Sequence, residues 1–455
     1  MSLDLGTLSA PVANLDELVA YIKGAERPPE RWLVGVEHEK IGVRGPRFEP
    51  VPYHGPGGIR ELLDAIARSA GGTQHKHKEN GQPIALLSKD ASVTLEPGGQ
   101  LELSGAPARS LAEVSAEIEA HLAQVRRDSH GIAWLAAGYR PFGTRDDVPW
   151  MPKGRYAAMK SSLGSKGRLA LDMMLMTATV QANLDWSDEA DLASKVRAAT
   201  AVSPIVSAMF ANSPLIDGRP CGYLDFRYQV WLETDGARCG LLEQMLEPGW
   251  GYRRYVEWAV DVPMLFVRSG SDYHDAGGQT FRSWLTTGKL TSGEKRQPTM
   301  ANWVDHLSTL FPEVRVKRVL ELRGADVVPL PWMIALPALW VGILYDRGAR
   351  EAAAELTRRW KFADLLQFQA DVARHALRAK GPGGATALDL GRDLIRIARL
   401  GLKGWQKTSG VDGSRNLDPL SDVIESGRTL AERVLEAYHA AGGEPSSVLK
   451  SWQIA

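Results

Sequence analysis

The sequence predicts an α+β fold on three observations. Between Val34 and Asp326, several short runs alternate apolar and polar residues with period two, as strands with one polar face do. Asn80-Gly81 joins two such runs as a hairpin turn would. From Leu330 onward the spacing becomes helical and stays so to the end.

In chain order, residues 14–24 predict a helix with Asn14 as N-cap, Leu15, Leu18, Val19 and Ile22 on its apolar stripe, and Gly24 at its end. The run VGVEHEKIGV (34–43) is rich in β-branched residues and predicts a strand. Residues two apart in a strand share a face, so Glu37 and Glu39 project side by side, roughly 6.6–7 Å apart along the backbone. A second helix carries Ile59, Leu62, Leu63 and Ile66 and stops at Gly71-Gly72. After the 75–87 hairpin, Thr94 and Glu96 share a face before Pro97-Gly98-Gly99 bends the chain. Gln100, Glu102 and Ser104 then alternate with Leu101 and Leu103.

Ser110 and Glu113 mark a helix reaching about Arg127, and residues 131–138 a strand. The basic segment MPKGRYAAMKSSLGSKGR suits a solvated face or an anion site and lacks the GxxxxGK[ST] phosphate loop. DMMLMTATVQANLDW reads as one long strand, with Gln181, Asn183 and Asp185 on one face and Met173, Met174 and Met176 as core filler. Ser187 is expected to cap a helix over 188–210 that Pro204 kinks or interrupts. Residues 211–231 form a turn-rich connection ending at Arg227 and Trp231, and 235–298 are mixed and loop-rich. In the late strand VLELRGAD, Glu321 and Arg323 share a face. Helices are expected over 334–346, 348–378, 386–402 and 419–440, with GPGGA at 381–385 as a break. No repeat or long linker divides the chain, so 1–455 is read as one catalytic domain, its site segments within 30–330 and a mainly helical part over 331–455.

Composition narrows the function. Lys+Arg and Asp+Glu number 54 each, so the basic excess of a nonspecific nucleic-acid binder is missing. No run approaches the roughly 20 apolar residues of a membrane span, and MSLDLGTLSAPVANLDELV has no basic segment followed by an apolar one. Two cysteines, Cys221 and Cys239, suit free thiols in a reducing compartment, and a cytoplasmic location follows as the expectation. The polar strand faces together supply Glu37, Glu39, Glu96, Glu102 and Glu321, with Gln181, Asn183, Arg155, Arg227 and Arg323. Five carboxylates among oxygen-bearing neighbours suit a hard divalent ion such as Mg²⁺, whereas histidines and cysteines are not spaced for zinc. The nucleophile elbow and the dinucleotide fingerprint are absent, which favours metal-assisted phosphate chemistry over acyl-serine or hydride chemistry.

These stretches resemble the plant-type glutamate–cysteine ligase (γ-glutamylcysteine synthetase) family in its bacterial form. The resemblance runs from GVEHEKIGV through LEPGGQLELSGAP, MPKGRY, LDMM, TVQANLD, FANSP, DVPM, FPEVRVKR and ELRGAD to ALPALWVG, with TALDLGRDLIRIARLGL beyond. It implies a glutamine-synthetase-like catalytic fold, a curved antiparallel half-barrel surrounded by helices. It also implies ATP-dependent joining of the L-glutamate γ-carboxyl group to the amine of L-cysteine, the first step of glutathione synthesis. Carried over by position, Glu37, Glu39, Glu96, Glu102 and Glu321 are expected to hold Mg²⁺, and Arg155 and Arg227 to grip the glutamate α-carboxylate. Arg323 is expected at the phosphate, Gln181 and Asn183 on the nucleotide and metal side, and the DVPMLF segment near the cysteine. Arg323 and Arg155 are the expected catalytic cations. The small-molecule partners are glutamate, cysteine and ATP, with no nucleic acid or membrane partner, in a monomer or homodimer. Other readings are supply of γ-glutamylcysteine to ergothioneine-type synthesis, ligation of another amine, or a non-catalytic glutamate- or nucleotide-binding regulator. Cys221 and Cys239 do not match the plant enzymes' regulatory cysteines, so no thiol switch carries over.

Overall fold

The computed structural model describes residues 8–270 and 272–455, so Met1–Thr7 of the stretch read for a leader lie outside the described residues. Strand β1 (Val34–Arg44) organises the molecule. Around it assemble β2 (Glu49–Pro50), β3 (His75–Glu79), β4 (Gln82–Leu87), β5 (Ser92–Leu95), β6 (Leu101–Ser104), β7 (Ile132–Leu135), β8 (Val180–Leu184), β9 (Val314–Val316) and β10 (Leu320–Leu322). The order is β9-β10-β8-β1-β6-β5-β4-β3, every ladder antiparallel, and β2 and β7 pair with the far half of β1. The sheet is the open antiparallel one expected of this fold.

The register follows from the period-two pattern. Glu37 lies opposite Ser104 and Gln181, Glu39 opposite Glu102, and Glu321 opposite Asn183, so the acids of β1, β6 and β10 and the amides of β8 fall on one face of four neighbouring strands. Asn80 and Gly81 take φ of 48° and 75°, as a tight hairpin turn needs. The other face of β1 turns Val36, His38 and Lys40 into the core, where His38 meets His121 edge-on.

Helices cover the sheet. The first three are α1 (Leu15–Lys23), α2 (Ile59–Ser69) and α3 (Leu111–Asp128); α1 and α3 start next to the predicted caps, where the Asn14 and Ser110 side chains accept from first-turn N–H groups. MPKGRY opens α4 (Gly154–Leu163). The predicted long strand at 172–186 is instead α5 (Ala170–Met176) followed by β8. Ala, Leu and Met favour helix, and β-branched residues enter only at Thr177. The next helix, α6 (Glu189–Met209), is capped by Asp188 rather than Ser187 and runs unbroken through Pro204. Pro204 lies in a stretch buried on all sides, where tertiary packing outweighs the missing hydrogen bond.

The turn-rich connection ends in a helix, α7 (Phe226–Leu232), which sets Arg227 and Trp231 one turn apart. The loop-rich part carries α8 (Tyr252–Asp261), α9 (Phe281–Thr287), α10 (Met300–Leu307) and a hairpin over 266–275. Beyond it, α11 (Leu330–Leu344) is buried along nearly its whole length and crosses α14 (Ala387–Ser409). The expected 348–378 helix is two, α12 (Arg347–Glu355) and α13 (Phe362–His375). The 419–440 helix is likewise α15 (Asp418–Ser426) and α16 (Leu430–Ala440), parted at Gly427 with φ 64°. No helix among the described residues is long and apolar enough to cross a membrane. Cys221 and Cys239 are free.

Candidate active site

A cavity of about 320 Å³ opens on the acidic face of the sheet. Glu37 and Glu39 reach it from β1, Glu102 from β6, and Glu96 from the turn that Pro97-Gly98-Gly99 makes between β5 and β6. That turn needs Gly98, because a side chain there would run into the backbone of Leu175. Neighbouring groups orient the acids. Asn183 Nδ2 donates to Glu37 Oε1 at 2.9 Å, the Thr179 N–H to Glu39 Oε2 at 3.0 Å, and Thr94 Oγ1 to Glu102 Oε2 at 2.7 Å.

Burial dominates their ionisation. It pushes Glu37 up to about 7, with the charges of Glu321 and Glu102 adding to the effect. Glu39 is held well above the carboxylate range by burial and then by Glu96 and Glu102, and Glu102 is raised by burial and Glu96. Crowded carboxylates of this kind ask for a cation. The four cavity acids, all oxygen donors, fit a hard divalent ion, although among the described residues no three acids or histidines are already drawn to metal-ligand spacing.

Glu321 has a different place. It is fully buried and does not line the cavity, and Arg315 takes both its oxygens through Nε and Nη2. Arg323 Nη1 adds a bond at 3.0 Å and Lys317 Nζ an ion pair at 3.2 Å. Burial works to raise its pKa, but Arg315, Lys317 and Arg323 together hold it well below the usual range. The carboxylate expected among the metal ligands is thus the counter-ion of a guanidinium wall.

That wall faces the acids. Arg227 Nη1 and Nη2 donate to the carbonyls of Gly324 and Arg323 at 3.2 and 3.0 Å, leaving its buried Nε without a hydrogen bond. Arg323 Nη1 donates to Gln181 Oε1 at 2.8 Å, and Arg155 Nη2 to Ser308 Oγ at 3.1 Å. The guanidinium groups of Arg227 and Arg323 lie 5.7 and 5.6 Å from the Trp231 ring. Of the residues expected from sequence, Glu37, Glu39, Glu96, Glu102, Arg155, Gln181, Arg227 and Arg323 line the cavity, while Asn183 acts through Glu37. From DVPMLF, Met264, Leu265 and Phe266 all belong to the core, and Phe266 also packs against Arg155 at 5.4 Å.

The sequence reading missed several lining residues. Arg315 was detectable, because VRVKRVLEL is a hairpin that pairs it with Glu321. Lys153, whose Nζ donates to the Leu95 carbonyl at 2.6 Å, was visible only as part of a basic run. Met173 and Met174, read as core filler, reach the cavity because α5 is a helix.

Comparison with known proteins shows the family. The family model described as glutamate-cysteine ligase family 2 (GCS2) matches residues 33–451. The chain is 39% identical over 440 residues to the chloroplastic glutamate–cysteine ligase of Nicotiana tabacum, covering 96% of this chain and 82% of that one. To the Arabidopsis thaliana enzyme of the same name it is 39% identical over 431 residues, with 94% and 80% covered. Among solved structures, glutamate–cysteine ligase (gshA) from Francisella tularensis in complex with AMP superposes with a TM-score of 0.54 at 12% identity, over 92% of this chain and 87% of that one. At that identity the likeness is one of fold.

Proposed function

The chain belongs to glutamate–cysteine ligase family 2, and from that premise we propose that it uses ATP to join the γ-carboxyl group of L-glutamate to the amine of L-cysteine. A carboxylate is a poor acyl donor because its leaving oxygen is not activated. Transfer of the ATP γ-phosphoryl group to that oxygen gives γ-glutamyl phosphate and ADP. The cysteine amine then attacks the acyl carbon, the C–N bond forms as the C–O bond to phosphate breaks, and inorganic phosphate leaves.

The observation that carries this reading is the pairing, across one cavity, of four acids with a guanidinium wall. Glu37, Glu39, Glu96 and Glu102 are assigned to hold Mg²⁺, which when bound offsets phosphate charge. Arg227 and Arg155 are assigned to the glutamate α-carboxylate, for which a planar fork is suited. Arg323, braced by Gln181 and Glu321, is assigned to the phosphate in transfer. Asn183 keeps Glu37 turned into the cavity. Free thiols suit a cytoplasmic location.

The direct test is ADP and phosphate release by the purified protein with Mg²⁺. Release is expected only when glutamate and cysteine are both present. A panel of other amines identifies a different acceptor, and nucleotide binding without turnover on any pair would show a regulator instead.

A further inference from the structure

Beneath Arg227 lies a pair of acids that the reaction chemistry does not use. Asp225 and Asp326 are both fully buried. Asp225 Oδ1 accepts from the Tyr228 N–H at 2.8 Å and so caps α7. Asp326 Oδ2 accepts from the Asn212 N–H at 2.8 Å and from Ser213 Oγ at 2.7 Å. The remaining oxygens, Asp225 Oδ2 and Asp326 Oδ1, receive no hydrogen bond from any other residue, and the two carboxyl groups meet each other. Two ionised carboxylates can only accept, so this contact needs a proton.

Among the described residues, one cation acts on the pair. Arg227 is the charged group acting on both acids, and on its other sides it also feels Glu39 and Glu313, the latter's carboxyl group pushed up to about 7 by burial. Among the described residues, the other partners are uncharged: Asn212 and Ser213, the Ala373 carbonyl that accepts from the Asp225 N–H, and Gly138, where the Asp326 carboxyl group leaves no room for a side chain. Burial pushes Asp225 well above the usual aspartate range, with the charge of Asp326 adding to it. Burial also pushes Asp326 up to about 6, and Arg227 works against both shifts.

The pair also holds Arg227 at both ends. The Arg227 N–H donates to Ser213 Oγ at 3.1 Å, the same hydroxyl that donates to Asp326. Its guanidinium donates to carbonyls two and three residues before Asp326. We propose that Asp225 and Asp326 share a single proton and that this singly charged pair is a positioning element for Arg227, keeping its guanidinium free to receive the glutamate carboxylate. Loss of that proton puts two negative charges under Arg227, which then compete with the substrate's carboxylate. The inference rests on the assignment of Arg227 to glutamate.

The test follows the KM for glutamate with pH, using kcat and the KM for ATP as references. In the wild type, KM(glutamate) is expected to rise at least about fivefold between about pH 7 and about pH 9. Asp326→Asn supplies a permanent donor to Asp225 and fixes the pair's charge, so its rise is expected to stay below about twofold. A flat wild-type profile, or a variant that follows the wild type, overturns the proposal. Asp225→Asn fixes the same charge and gives the same readout if Asp326→Asn does not fold. Arg227→Lys separates the two readings, because a rise of about tenfold or more in KM(glutamate) upholds the assignment of Arg227 and its absence overturns that assignment. In either case, the wild-type minus Asp326→Asn infrared difference tests the shared proton itself, because the protonated-carboxyl absorption of Glu37 and Glu39 is common to both proteins; a difference without a buried carboxyl band overturns the pair.

Discussion

At the scale of single residues, Glu37 concentrates the conflict in the site. Its carboxylate is pushed up to about 7 chiefly by burial, so folding favours its protonated form. An acid whose folded pKa lies above its unfolded value contributes stability below the ordinary carboxylate pKa and loses it as pH rises toward about 7. Glu37→Gln removes that dependence. In the ligand-free protein the variant is therefore expected to gain Tm relative to wild type from about pH 5 to about pH 7.5, with no further gain above. With Glu37 holding Mg²⁺ as proposed, kcat is expected to fall by about a hundredfold or more, since glutamine brings no charge to that ion. Calorimetry and the ADP-release assay read the two effects separately, and a variant with full activity would remove Glu37 from the metal site.

At the scale of elements, what was legible in sequence was what local chemistry decides. The β1 pattern, the Asn80-Gly81 turn and the Pro97-Gly98-Gly99 bend each impose a period or a backbone angle, and these placed Glu37, Glu39, Glu96 and Glu102 on one face. What escaped depends on partners distant in sequence. Pro204 stands inside an intact helix because its surroundings bury it, and Glu321 faces Arg315 rather than the cavity. The α11–α14 crossing was equally hidden. A methyl group added at Gly401 would fall on the carbonyl of Gly342, and one added at Gly342 on the backbone of Ala398. Gly401→Ala is expected to destabilise the protein by about 1–3 kcal/mol or to spread the helices. Urea unfolding measures the loss, and an unchanged midpoint would show that the crossing has slack.

At the scale of the whole molecule, remote parts of the chain meet in one node. Trp452 donates from its indole N–H to Asn212 Oδ1 at 2.9 Å, and the Asn212 amide nitrogen donates to the carbonyls of Ala136 and Val327 at 2.7 and 2.8 Å. Residues 452–455 also hydrogen-bond alongside β7, with Ala455 O accepting from the Trp134 N–H at 2.9 Å. Trp452→Ala is expected to cost about 3–5 kcal/mol, read from the denaturant midpoint, and to weaken glutamate turnover through Asn212 and Asp326. The same connectivity sets an order on the ribosome. Strand β1 emerges early, yet one of its edges waits for β8 and the guanidinium wall for residues 314–323. The nascent chain therefore carries the acidic strand half-paired until residues 180–184 of 455 are made, and folding dominated by such distant pairings is slow. Catalytic competence arrives late and all at once, a timing that leaves the unfinished chain dependent on whatever shields exposed strands in the cell.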